Sequence, residues 1–72
     1  MDAKKAVDNF MYYMYNKWSE SECRYLFKDV FLADHIWAKY KENGNAILWW
    51  YSMLDSECQR KIINRANHFY GE

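Results

Sequence analysis

Residues 3–23 read AKKAVDNFMYYMYNKWSESEC, and this stretch decides the fold class. Ala3, Val7, Phe10, Met11, Met14 and Trp18 recur at three- and four-residue spacing, which lines them along one stripe of an α-helix. Lys5, Asp8, Asn9 and Asn16 fall off that stripe. The pattern predicts a first helix from about Asp2 to Lys17. Tyr12 projects among the polar residues, opposite the stripe, and is a candidate exposed ring. Ser19-Glu20-Ser21-Glu22 then stops the helix and starts another. Ser19 with Glu22 fits a capping box, in which hydroxyl and carboxylate satisfy orphan amides at a helix start. Glu20 and Glu22 in a first turn also suit the helix dipole.

Downstream, a second helix carries Cys23, Leu26, Phe27, Val30 and Trp37 on one face, with Tyr25, Leu32 and Ile36 nearly opposite. A helix apolar on two sides is either central in its domain or half-covered by a partner. Asp34 falls between Val30 and Trp37, where a buried carboxylate would be costly. Either the helix runs on, or it ends near Ala33 and Asp34 caps a new short helix through Lys41.

Asn43-Gly44-Asn45 reads as a turn, with Gly44 in the left-handed position after a helix and Asn45 as the next N-cap. Ala46 to Leu54 is apolar at nearly every position except Ser52, and its length without β-branching favours a buried helix. Asp55-Ser56 opens a last helix to about Tyr70. Cys58, Ile62, Ala66 and Phe69 line one face, with Ile63 and Tyr70 beside them. Proline is absent and glycine occurs twice, so nothing interrupts helix formation. The expected fold is all-α, a compact bundle of four or five short helices. Glu20-Ser21-Glu22-Cys23 resembles Asp55-Ser56-Glu57-Cys58, as two stacked helical hairpins would produce, although a shared capping solution explains the match equally well.

The 72 residues allow one domain, 1–72, with one core. A chain this short buries only about 60% of its unfolded surface. Large rings compensate: 21% of the residues are aromatic, and each removes roughly 150–250 Å² from water. Ten basic residues balance ten acidic ones, so nothing demands a polyanionic partner. The opening Met-Asp-Ala-Lys-Lys-Ala has no apolar region behind it, as a secretory signal would. Ala46 to Tyr51 is too short to span a bilayer. With Met1 at its start, the chain reads as a complete, small, cytoplasmic protein with no membrane association.

Candidate chemistry is sparse. Cys23 and Cys58 each fall in the first turn of a helix, where the dipole favours a thiolate, but both also lie on apolar stripes, which favours packing. Cys23, Cys58, His35 and His68 lack the paired short spacing of zinc sites. There is no glycine-rich phosphate loop, and the acids near Glu20 and Glu22 are explained by capping. The expectation is a non-enzyme with no metal, cofactor or small-molecule substrate.

The aromatics point elsewhere. Trp18, Trp37, Trp49 and Trp50 with seven tyrosines are too many for one small core to hide. Trp49 and Trp50 point about 100° apart on a helix, so one at most faces the core centre. The expected function is protein–protein interaction: a module that binds a larger partner or itself, or an accessory or inhibitor protein such as phages and mobile elements encode. Tyr12, Tyr13, Tyr25, Leu32, Ile36, Trp49 and Trp50 are the expected contacts, since rings with a polar tip anchor interfaces. The alternative is a helix-turn-helix nucleic-acid binder spanning Ile47 to Tyr70. Arg60, Lys61, Asn64 and Arg65, with Gln59 and Asn67, would form its recognition face. Few cations, zero net charge and Asp55 beside the helix start weigh against it.

Overall fold

A computed structural model describes residues 3–71. Five helices follow one another: α1 (Ala3–Asn16), α2 (Glu20–Leu26), α3 (Val30–Glu42), α4 (Ile47–Ser52) and α5 (Ser56–Tyr70). No strand occurs among the described residues. The expected helix start at Asp2 lies outside them.

Three of the helix starts are written in side chains. Ser19 Oγ accepts the Glu22 amide at 3.2 Å. The Asp29 carboxylate accepts the amides of Phe31 and Leu32 at 2.9 and 3.1 Å. Asp55 accepts the Cys58 amide at 2.8 Å. Each satisfies donors that a first turn leaves without an intrahelical partner. The two Cys-containing starts are not superposable, because Ser19 caps four residues before Cys23 and Asp55 three before Cys58.

The chain does break in its second apolar segment, but at Phe27-Lys28-Asp29 and not at Ala33-Asp34. Asp29 is the cap, and Asp34 sits inside α3. The break frees Val30 from the stripe of Cys23 and Phe27, so Val30 is exposed. Asp34 is exposed too and pairs with Arg24 at 3.0 Å. Two further expectations fail after α3. Gly44 has no positive φ, and Ala46 precedes α4 without a side-chain cap where Asn45 was expected to provide one. Asn43 removes the need for a left-handed residue. Its side-chain amide donates to the Lys39 carbonyl at 2.9 Å, and its backbone N–H reaches the carbonyls of Lys39 and Tyr40.

The core draws on every helix. α1 turns Asn9, Phe10, Tyr13 and Met14 inward, a stripe rotated from the expected one, and leaves Ala3 and Val7 outside. α5 turns in Cys58, Ile62 and Ala66 as its periodicity predicts, with Phe69 at the rim. Trp50 is fully buried and donates its indole N–H to the Ile36 carbonyl at 3.2 Å, tying α4 to α3. Around it gather Trp18, Trp37 and Tyr40, with ring centroids 5.2–6.1 Å apart. That spacing suits tilted and edge-on aromatic pairs.

α1 packs on α5, α2 on α3 and α3 on α4. The first pairing is parallel. Val7 and Ile63 share a cleft, Asn9 donates to Asn67 at 3.2 Å, and the rings of Tyr12 and Tyr70 meet at 5.8 Å. Contacts therefore ascend together along both helices. A second tie crosses the bundle from α2. Glu22 accepts Arg65 Nε at 2.9 Å and Nη2 at 3.1 Å, and the Tyr13 hydroxyl donates to the same carboxylate at 2.7 Å. One acid thus joins α1, α2 and α5.

Candidate functional site

Three of the seven expected contact residues are not on the surface. Tyr13, Ile36 and Trp50 are core residues. Tyr13 and Trp50 go inside because the fold supplies acceptors for their polar tips, in Glu22 and in the Ile36 carbonyl. The other four, Tyr12, Tyr25, Leu32 and Trp49, are exposed. The structure does not gather them into one site: Tyr25, Leu32 and Trp49 line three different clefts, and Tyr12 rests on Tyr70.

Trp49 belongs to an uncharged face along α1 and α4. It is 64% exposed and lines a cleft with Met11, Tyr15 and Leu48. Leu48 also lines a neighbouring cleft with Val7, Phe10, Tyr51 and Ile63, so the two run together along α1 and α4. Tyr15 is 72% exposed, and Val7 and Leu48 are each more than half exposed. Among the described residues no charged side chain lines either cleft. The α1 pattern predicted Val7 as core; the rotated stripe makes it surface. A second apolar cleft of about 280 Å³ lies between α3 and the α4–α5 turn, lined by Leu32, His35, Met53, Leu54 and Cys58 among others. Phe31, next to Leu32, is 87% exposed.

The polar residues of α5 divide sharply. Gln59 donates to the Tyr51 carbonyl at 2.9 Å, Asn67 accepts from Asn9, and Arg65 is committed to Glu22. These three hold the fold together and do not form a free recognition face. Arg60, Lys61, Asn64 and His68 remain exposed. Lys61, Asn64, Arg65 and His68 face Tyr25 and Lys28 of the α2 end across an open groove of about 470 Å³. The Arg65 guanidinium lies 4.5 Å from the Tyr25 ring centre and 4.7 Å from that of Phe69. Lys28 lies 4.8 Å from Tyr25. Sequence reasoning missed Lys28. Its signal was the Asp29 cap, which ends α2 and turns Lys28 beside Tyr25.

Electrostatics favour quiet side chains. Hydrogen bonds from Arg65 hold the Glu22 carboxyl below the usual range, against the opposing effect of burial. Burial, then the Glu22 carboxylate, hold the Tyr13 hydroxyl protonated well beyond the normal tyrosine range. Burial pushes both thiols up to about 11. Cys23 donates weakly to the Ala33 carbonyl at 3.4 Å. A protonated, buried thiol is a poor nucleophile and a poor metal ligand. Among the described residues no three of His, Cys, Asp and Glu are grouped as a metal ion would need. No helix there is long and apolar enough to cross a membrane.

Comparison with protein-family models, with curated proteins and with solved structures returns no match to this chain.

Proposed function

We propose that the protein is a non-catalytic interaction module that docks a protein surface through the α1/α4 face. The observation that carries this reading is the continuity of Val7, Leu48, Trp49 and Tyr15 along two adjoining clefts that no charged side chain lines among the described residues. Uncharged apolar patches on small proteins usually mark contacts, and indole and phenol rings anchor them at low entropic cost. The counterpart is an apolar, uncharged protein surface. A second copy of this chain meets that description as well as an accessory target does. The burial of both thiols, which holds them protonated, and the use of Glu22 as an ion-pair hub support a binding role over a chemical one.

Light scattering across a concentration series, with affinity capture from the cells that express the protein, tests the reading. Trp49→Ser with Leu48→Ser abolishes dimerisation or capture, while Phe31→Ser, at an exposed α3 position that lines neither cleft, leaves both intact. A strict monomer whose captured partners are indifferent to the Trp49 and Leu48 substitutions overturns the proposal.

A further inference from the structure

A second surface carries its own chemistry. Three cations line the α2–α5 groove, Lys28, Lys61 and Arg65, with Arg65 held by Glu22. Among the described residues no acidic side chain lines the groove itself. Elsewhere cations find carboxylates, as Lys4 does in Asp8, Arg24 in Glu20 and Asp34, and Lys39 in Glu42. Here they find rings. Lys28 sits over the exposed Tyr25 ring and Lys61 lies 5.9 Å from the buried Phe27 ring, and neither has an ion pair among the described residues. The chain is neutral overall, yet this face is positive and aromatic at once.

We propose that this groove binds a short segment of single-stranded nucleic acid. Interleaved cations and exposed rings are what such a strand requires: ammonium groups track the phosphates while bases stack on ring faces. Tyr25 is more than half exposed. Lys28 lies over its ring on a flexible stem, so swinging to a phosphate vacates that face for a base. Arg65, fixed at Nε and Nη2 by Glu22, lies 4.5 Å from the Tyr25 ring centre and positions that ring. The Asn64 amide stands between Lys61 and His68 on the same wall, where it reaches base edges. An acidic peptide would use the cations but neither the Tyr25 face nor the Asn64 amide. A duplex fits poorly, because a major groove about 12 Å wide admits one helix and α2 stands beside α5. From Lys61 to His68 the wall spans roughly 10 Å, enough for about two nucleotides.

Fluorescence anisotropy with a labelled oligothymidylate of about ten nucleotides tests this directly. Two phosphate contacts, from Lys28 and Lys61, predict a log–log salt slope of about −1.4, so affinity falls about sevenfold between about 50 and 200 mM salt. Tyr25→Ala lowers affinity at least about fivefold through lost stacking. Lys28→Ala and Lys61→Ala each reduce the slope by about 0.7, and both are exposed, so they report even if Tyr25→Ala disturbs Arg65. Oligoglutamate of equal length and a short duplex are run as competitors. Weak competition by both is expected. Equal competition by oligoglutamate, tighter binding of the duplex, no saturable binding at low salt, or an unchanged slope in both lysine variants overturns the proposal.

Discussion

Glu22→Gln removes the charge that joins α1, α2 and α5 while keeping the shape of the side chain. In the parent, Glu22 receives two hydrogen bonds from Arg65 and one from Tyr13. The amide can still accept from Tyr13, but the Arg65 guanidinium loses its counter-charge. The side chains of Arg65 and Glu22 are 20% and 19% exposed, between a surface pair and a buried one. Exposed pairs contribute about 0.2–1 kcal/mol, and breaking a fully buried pair costs about 3–5 kcal/mol. The intermediate exposure gives a loss of about 2 kcal/mol. For a domain of this length that lowers Tm by about 8–16 °C. Urea unfolding followed by far-UV circular dichroism measures it, and a cycle with Arg65→Met isolates a coupling of about 1.5 kcal/mol. pH gives an independent check. The folded Glu22 pKa lies below its unfolded value, so its stabilisation is full above about pH 4.5 and is lost as pH falls through the folded pKa. The parent should lose this increment in acid and Glu22→Gln should not. A variant within about 0.5 kcal/mol of the parent at neutral pH, or parallel acid profiles, would refute the assignment of Glu22 as the hub.

Three further outcomes are expected. Ser19→Ala, Asp29→Ala and Asp55→Ala each cost about 1 kcal/mol in urea unfolding, whereas Asp34→Ala costs less than about 0.5, which locates the helix break at Asp29. Phe27→Ala, deep in the core, loses about 3–5 kcal/mol; Phe31→Ala, four residues on, changes stability by no more than about 0.5. Because burial raises both thiol pKa values to about 11, their contribution is complete below the ordinary value of 9.0 and disappears as pH rises from there toward 11. Urea midpoints should fall across that window, and replacing both cysteines by Ala should flatten the decline.

Helix content, the positions of α1, α4 and α5, the start of α2 and the inward face of α5 were legible from spacing alone. α5 was easy because its apolar residues and its solvated ones alternate cleanly at helical period. α1 was read one step out of rotation. Asn9 and Tyr13 look like surface residues until their partners, Asn67 and Glu22, arrive from 58 and 9 residues away. No local pattern announces such partners. The break at Asp29 was hidden for a related reason. Asp29 and Asp34 are both competent caps, no glycine or proline marks either, and Phe27 and Val30 continue a helical stripe through the true boundary. The candidate surfaces were half legible. Exposed Trp49 and Tyr25 were foreseen as residues, but their neighbours Leu48, Val7 and Lys28 come together only through the packing of α4 on α1 and the turn after α2.

The parallel pairing of α1 with α5 joins two helices far apart in the sequence. Asn9 meets Asn67 across a separation of 58 residues. Closing so long a loop costs chain entropy before any contact rewards it, which places this pairing late in folding. Until α5 arrives, Phe10, Tyr13 and Met14 lack its cover. The local hairpin of α2 with α3 forms under no such constraint, so the slow step of folding is the docking of α5 along α1.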